Sequence, residues 1–176
     1  RGNILYFVIP CYNEEEVIID TAKAIYEKAQ KLIDEKKISE KSRIVFVNDG
    51  SKDRTWEIIQ KLHEGKEIFA GINLSRNRGH QNALLAGLMT VKDDADMVIS
   101  MDADLQDDIN AVDEMIDKYH DGCDIVYGVR SKREKDTFFK RFTAESFYKV
   151  MNKLGANTVY NHADYRLTSK RALNEL

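Results

Sequence analysis

The segment MVISMDADLQDD, residues 97–108, places carboxylates directly after an apolar run. Residues two apart in a strand point to the same side, so Asp102 and Asp104 would bring two negative charges together. Like charges at close range cost free energy unless a positive charge lies between them. Mg²⁺ is commonly held by one or two carboxylates together with substrate phosphates, so the pair predicts a divalent-metal site. A solvated acidic turn is the simpler explanation of a lone D-x-D, and the choice depends on the other motifs.

Apolar runs alternate with helical patterns along the chain. Strands are predicted in ILYFVIP, RIVFVND, IFAGINLS, MVISMD and CDIVYGVR, with ADYRL as a candidate sixth, and helices over 14–35, after GSKD, and over 79–90, 109–119 and 138–154. Ser51 or Asp53 is a predicted cap of the second helix. Strands that alternate with helices indicate a mostly parallel sheet with helices on both faces.

Composition narrows the class of protein. A length of 176 residues predicts one domain, and the hydrophobic content of 43% is typical of globular chains. The net charge of −3 argues against a general nucleic-acid-binding role. Cys11 and Cys123 form no disulfide framework and fit a reducing compartment. The chain starts without Met and stops within a helical pattern, so we expect a domain truncated at its C-terminus.

Polar motifs follow each of the first five predicted strands. They are PCYNEEE, NDGSKDRT, SRNRGHQNA, DADLQ and GVRSKRE. In an open α/β sheet, ligands bind beyond the carboxyl ends of the strands, so these loops predict one binding edge. The chain has neither G-x-G-x-x-G nor a P-loop motif, which argues against a dehydrogenase and a P-loop NTPase. A metal held by carboxylates is therefore expected to neutralise most of a phosphate's charge.

The motifs VIPCYNEE, VNDGSKDRT, SRNRGHQNALLAGL, MDADLQD, YGVRSKRE and DYRL resemble, in order and spacing, the family 2 glycosyltransferases. Within that family the chain is most similar to dolichyl-phosphate mannose synthases and bacterial polyprenyl-phosphate glucosyltransferases. The resemblance implies one catalytic domain over residues 1–176 with the GT-A fold, a Rossmann-like, mostly parallel α/β sheet. The implied activity is inverting, metal-dependent transfer of a sugar from a nucleotide sugar, UDP-linked, to polyprenyl phosphate.

The resemblance also implies roles for individual residues. Substrate-binding roles fall on Pro10, Tyr12, Glu14, Asp49, Arg78, Asp102, Ala103 and Arg130. Asp49 would bind the base, since a carboxylate can accept from the uracil imide N–H, and a Tyr ring can cover the base. Glu14 has an alternative role at the start of the first helix. Asp102, Asp104 and Gln106 would hold Mg²⁺ or Mn²⁺, with Asp102 on the ribose or uracil side.

The acceptor side of the implied site lies later in the chain. Asp164, in HADYRL, would be the base that deprotonates or orients the acceptor. Arg130 opens a basic run that ends at Arg141, which is either a solvated loop or a lid that holds the acceptor phosphate. Phe138 and Phe139 are candidates for contact with a bilayer surface. We expect the enzyme at the cytoplasmic face of the membrane, anchored through a C-terminal segment absent from this chain.

Three other functions fit parts of the sequence. The acceptor could be a growing saccharide or cell-wall glycan instead of a lipid phosphate. A haloacid-dehalogenase-type phosphatase also uses D-x-D, but there the motif opens the fold, whereas here it follows the fourth strand. A non-catalytic nucleotide-sugar-binding module is the third alternative, and the acidic residues Asp102, Asp104 and Asp164 argue against it.

Overall fold

A computed structural model describes residues 2–105, 108–130, 137–154 and 165–175. The strands are β1 Leu5–Cys11, β2 Arg43–Asn48, β3 Phe69–Asn73, β4 Met97–Ser100, β5 Ile125–Arg130, β6 Thr137–Phe142 and β7 Arg166–Ser169. The helices are α1 Ile18–Asp34, α2 Thr55–Gly65, α3 His80–Val91, α4 Ala111–His120, α5 Ala144–Leu154 and α6 Lys170–Leu173.

The described strands form one mixed sheet in the order β3-β2-β1-β4-β7-β5-β6. The first four strands in this order are parallel, as predicted. β7 is antiparallel to both β4 and β5, and β6 is antiparallel to β5. Arg166, the first residue of β7, therefore pairs with Ser100, the last residue of β4. The segment after residue 164 thus begins at the edge where β4 ends.

Helices cover both faces of the sheet, which explains why β1 is apolar along most of its length. Phe7 and Ile9 belong to the core on the face covered by α1, α2 and α4. Val8 points to the opposite face and packs with residues of α3. Helix α1 turns an apolar stripe toward the core that contains Phe7 and Ile9, and its members are all buried: Ile18, Ala22, Ile25, Ala29 and Leu32. Burying each large aliphatic side chain contributes about 1.5–3 kcal/mol.

Helix α3 lies close against the sheet because Gly87 has no side chain. A Cβ there would lie 2.6 Å from Val8 and 2.8 Å from Val47, so a larger residue would push the helix away. This contact fixes α3 over β1 and β2. The N-terminus of α3, at His80, consequently lies near the carboxyl ends of those strands.

The prediction of a single helix over 138–154 is wrong. The segment TFFKRF forms β6, and the helix α5 begins only at Ala144. The aromatic residues of this segment have a spacing that a helix would permit. Pairing with β5 from Thr137 to Phe142 makes the segment a strand instead, and strands also favour aromatic residues. Thr143 marks the boundary, since its hydroxyl accepts a 3.2 Å hydrogen bond from the Ser146 N–H. Within the described residues, no helix is long and apolar enough to cross a bilayer.

Candidate functional site

A cavity of about 350 Å³ lies at the carboxyl ends of β1, β2 and β4. Its walls include most of the residues predicted to bind the donor or a metal: Pro10, Tyr12, Glu14, Asp49, Asp102, Ala103 and Asp104. These residues come from three separate loops of the sequence. The sheet topology therefore brings together motifs that were predicted to share one edge.

The loop after β1 is locked onto the loop after β2. Asn13 has a φ of 53°, a left-handed conformation that Asn tolerates better than most residues. Its N–H donates to the Ser51 hydroxyl at 3.0 Å, and its side-chain oxygen accepts from the Lys52 N–H at 2.8 Å. The Glu14 N–H donates to the Thr55 hydroxyl at 2.9 Å. These contacts hold Tyr12 and Glu14 at the cavity.

Asp53 completes this interlock. One of its carboxylate oxygens accepts from the Thr55 N–H at 2.9 Å, and the other accepts from the Glu15 N–H at 3.2 Å. Partial burial raises the pKa of Asp53, but the hydrogen bonds from Thr55 and Glu15 outweigh it and leave this pKa lowered. The N-cap residue of α2 is Arg54, which makes no side-chain capping hydrogen bond, so the prediction of Ser51 or Asp53 as the cap is wrong. The two residues instead hold the loop after β1 against the loop after β2.

Asp49 connects β2 to the loop that precedes α3. Its side chain is almost fully buried, with 2% of the residue exposed, and its N–H donates to the Cys11 carbonyl at 2.8 Å. The Arg78 N–H donates to Asp49 Oδ1 at 2.7 Å. Arg78 thus meets the predicted base-binding residue through its backbone, while Asn77, Gly79 and His80 on either side of it line the cavity.

Gly50 allows the loop after β2 to lie against the loop before α3. Its φ is +67°, and a Cβ at this position would lie 2.3 Å from the Asn77 nitrogen and 2.6 Å from the Arg76 carbonyl carbon. Both atoms belong to the backbone and cannot swing aside. Glycine is therefore required here for conformation and for space.

β4 ends at Ser100 and residues 103–104 form a turn, so the prediction that Asp102 and Asp104 lie in a strand is wrong. Ala103 is buried and its carbonyl accepts a hydrogen bond from the Thr21 hydroxyl of α1. Asp102 and Asp104, on either side of it, both line the cavity, with Asp102 half-buried and Asp104 exposed. Leu105 then turns the chain with a φ of 50°. Helix α1 consequently anchors the loop that carries both carboxylates.

The cavity is an unfavourable place for an additional negative charge. The pKa of Glu14 is raised, first by partial burial and then by the charges of Asp104 and Asp53. The thiol of Cys11 donates to the Ile9 carbonyl at 3.3 Å, and burial followed by the charge of Glu14 raises its pKa. Cys11 therefore remains a neutral, structural thiol.

His80 lines the cavity and is not among the site residues predicted from sequence. It is the first residue of α3, and its Nε2 lies 3.6 Å from Asp102 Oδ1. Asn77 and Gly79 from the same loop also line the cavity. Only the motif SRNRGHQNA, which follows the third strand, could have indicated these residues from sequence.

Several predicted site residues fall wholly or partly outside the part of the chain that the structure describes. Asp164 and Gln106 lie outside the described residues, as does most of the basic run after β5. Arg130 is the last residue of β5, and its backbone pairs with Thr137. Phe139 is half-buried, and the Lys118 ammonium lies 5.6 Å from its ring centre, which favours packing against the fold over contact with a bilayer. Only the backbone of Phe138 is described.

Comparison with known proteins identifies the family. Residues 6–176 match the model of glycosyl transferase family 2. The chain belongs to this family. It is 54% identical over 173 residues to the glycosyltransferase YkoT of Bacillus subtilis, covering 98% of this chain and 51% of YkoT. It is 39% identical over 170 residues to the bactoprenol glucosyl transferase of Shigella phage SfX, covering 96% of this chain and 53% of that protein. The chain thus spans about half the length of the curated relatives it matches.

Solved structures support the same fold. A mannosyltransferase from Pyrobaculum calidifontis, solved with GDP-Man and Mn²⁺, superposes with a TM-score of 0.66 at 17% identity, over 99% of this chain and 47% of that one. Staphylococcus aureus TarS 1-349, solved with UDP, gives a TM-score of 0.60 at 16% identity, over 98% and 48%. At these identities the likeness concerns the fold alone. This family 2 chain therefore has the expected α/β GT-A fold.

Proposed function

We propose that this family 2 chain is the catalytic domain of an inverting, metal-dependent glycosyltransferase that moves a sugar from a UDP-sugar to polyprenyl phosphate. The observation that carries the proposal is the convergence of Tyr12, Glu14, Asp49, Asp102 and Asp104 on one cavity at the carboxyl edge of the sheet. This is the edge at which open α/β sheets bind their ligands.

The nucleoside would lie between the ends of β1 and β2. Asp49 is held in place by the Arg78 N–H, so its carboxylate is preorganised to accept from the imide N–H of uracil. The ring of Tyr12, with 42% of the residue exposed at the cavity, offers a flat apolar surface for the base. Pro10 and Glu14 would complete this end of the site.

Asp102 and Asp104 fit a divalent metal in the number and type of their oxygen atoms. Among the described residues, no three or more His, Cys, Asp and Glu side chains are grouped closely enough to hold a metal ion by themselves. Mg²⁺ and Mn²⁺ ordinarily complete such a pair with substrate phosphates, so we assign the remaining ligands to the diphosphate and to Gln106. A mannosyltransferase of the same fold was solved with GDP-Man and Mn²⁺, which supports the use of a divalent metal here. When bound, the metal would supply Lewis-acid stabilisation of the leaving diphosphate.

Asp164 is the proposed base. The next residue in the chain, Tyr165, is held by two hydrogen bonds. Tyr165 is buried, and its hydroxyl donates to the Asp108 carbonyl at 2.7 Å. The backbone carbonyl of Tyr165 also accepts from the Gly128 N–H at 2.9 Å. Inversion requires the acceptor oxygen to attack from the side opposite the leaving group. Asp164 would accept its proton or orient it, and a phosphate acceptor, already ionised, needs mainly orientation.

Two observations support polyprenyl phosphate as the acceptor, namely the name of a relative and the position of a basic residue. The name of the SfX bactoprenol glucosyl transferase indicates a polyprenyl acceptor for that protein. Arg130 ends β5, and a guanidinium can hold a phosphate through two hydrogen bonds. Because such an acceptor is a membrane lipid, the proposal includes action at a membrane surface, on its cytoplasmic face.

Calorimetric titration of the full-length protein with UDP, GDP and CDP, each with Mn²⁺ and with EDTA, tests the donor side of this proposal. We expect UDP to bind most tightly, and only the Mn²⁺ condition to give the full affinity. Tighter binding of GDP would correct the nucleotide, and no binding of any nucleoside diphosphate would reject the function.

A further inference from the structure

His80 and Asp102 lie beside each other in the wall of the cavity, although they belong to two different parts of the fold. His80 opens α3, whereas Asp102 follows β4, and the His80 Nε2 lies 3.6 Å from Asp102 Oδ1. The two side chains are 44% and 33% exposed, so both remain accessible from the cavity that they line. The pair therefore lies where the donor would be in contact with it.

Hydrogen bonds and packing around His80 fix its backbone beside the cavity. Gly79 precedes it with a φ of +91°, and its carbonyl accepts a 2.9 Å hydrogen bond from the Ala83 N–H in the first turn of α3. The Asn82 side chain donates to the Arg78 carbonyl at 2.8 Å. Gly87 keeps α3 close to the sheet. His80 is thus presented by a packed helix and a closed turn, which are more precise supports than a loose loop.

We propose that His80 is a positioning residue that holds the Asp102 carboxylate in the orientation needed by the bound donor. The inference rests on the proposed function. An N–H···O hydrogen bond requires about 2.7–3.2 Å between heavy atoms, so the pair must close by about 0.4 Å or more. Hydrogen bonds of this kind tighten in substrate complexes, and we expect donor binding to close this gap.

The two oxygens of the Asp102 carboxylate would have different roles, and His80 would act by holding one of them. With Oδ1 held by the imidazole Nε2–H, the second oxygen of Asp102 is directed to the ribose or the metal. Residues that orient a ligating carboxylate typically change metal affinity or activity by about 10–100-fold when they are removed. His80 would act on the donor through Asp102, whereas a direct donor contact would act independently of it.

A double-mutant cycle separates these two mechanisms. UDP affinity in Mn²⁺ is measured by calorimetry for the full-length protein, His80→Ala, Asp102→Asn and the double variant. We expect His80→Ala to weaken UDP binding by about 10-fold or more. The double variant should bind no more weakly than Asp102→Asn alone, because the imidazole acts only through that carboxylate. His80→Gln should recover part of the loss, since its amide can donate to Asp102.

His120→Ala is the matched control, because His120 is exposed at the end of α4 and lies outside the cavity. It should leave UDP affinity unchanged. Losses that add in the double variant, or an unchanged affinity in His80→Ala, would overturn the role of His80 while leaving the proposed function intact. A wild-type protein that binds no UDP in Mn²⁺ would instead overturn the proposed function, and the inference with it.

Discussion

Asp49 accepts a 2.7 Å hydrogen bond from the backbone N–H of Arg78, so the loop before α3 holds the carboxylate at the end of β2. The bond joins residues that are 29 positions apart in the sequence. The proposed base-binding group therefore depends on a neighbouring loop for its orientation. Variants that separate these loops should weaken nucleotide binding without removing any group that contacts the nucleotide.

Gly50→Ala tests this dependence. The substitution places a Cβ in a left-handed residue and against the backbone of Arg76 and Asn77. We expect the free energy of unfolding to fall by about 2–4 kcal/mol, from backbone strain and overpacking together. UDP affinity should fall as well, because the loop that carries Arg78 must move. Chemical denaturation and calorimetry measure the two effects.

Gly65→Ala is the control for this substitution. Gly65 ends α2, and a Cβ there meets nothing within 4 Å. Replacing this helical glycine should change stability by less than about 1 kcal/mol, in the stabilising direction, and leave UDP affinity unchanged. Equal losses in the two alanine variants would contradict a specific role for Gly50.

Asp104→Asn should abolish the gain in UDP affinity that Mn²⁺ provides. It should also reduce turnover by at least about 100-fold, because Lewis-acid stabilisation is worth several kcal/mol and each 1.4 kcal/mol is a factor of ten. Asp20→Asn, which alters an exposed carboxylate on α1, is the control and should behave as wild type. If the wild-type protein binds UDP equally well in EDTA and in Mn²⁺, the assignment of a metal site to Asp102 and Asp104 is wrong.

Glu14→Gln should raise the melting temperature in EDTA at pH 7. Burial and the charges of Asp104 and Asp53 raise the pKa of Glu14 in the folded protein. A raised pKa means that protonated Glu14 favours folding, and this contribution is lost as pH rises through the folded-state pKa. Gln removes the cost of the charge at neutral pH. The difference between the proteins should shrink below about pH 4, where the carboxyl is protonated in both states.

Thermal unfolding of both proteins across this pH range measures the effect. A Gln variant that is less stable at pH 7, or a difference that does not vary with pH, would contradict the electrostatic account of Glu14. The same variant should bind the nucleotide less well if Glu14 contacts the nucleoside.

Asp164→Asn should reduce transfer by at least about 100-fold while leaving UDP-sugar affinity nearly unchanged. A group that acts only in the transition state lowers kcat and kcat/KM together and does not contribute to ground-state binding. Steady-state kinetics and calorimetry on the full-length protein separate the two quantities. A collapse of donor affinity would make Asp164 a donor-site or structural residue instead.

Local sequence patterns predicted the parallel part of the sheet and most of the residues that line the cavity. Apolar runs located β1 to β4, and the rule that ligands bind at carboxyl ends brought Asp49, Asp102 and Asp104 to one edge. These inferences succeeded because they need only periodicity and chain order. The α1 stripe from Ile18 to Leu32 is predictable for the same reason.

Long-range contacts account for what the sequence did not reveal. The aromatic residues of TFFKRF have a spacing that a helix also permits, and only pairing with β5 makes the segment a strand. The contact between His80 and Asp102 depends on how closely α3 packs over the sheet at Gly87. Neither the partner of a strand nor the height of a helix above a sheet is encoded in local periodicity.

Transfer from a radiolabelled UDP-sugar to a short-chain polyprenyl phosphate, by the full-length protein, is the decisive assay of the proposed function. The assay is run in Mn²⁺ and in EDTA, with a free oligosaccharide as the competing acceptor, and NMR gives the anomeric configuration of the product. We expect a glycolipid of inverted configuration in Mn²⁺ and none in EDTA. Transfer to the oligosaccharide with none to the lipid phosphate, or equal transfer in EDTA, would contradict it.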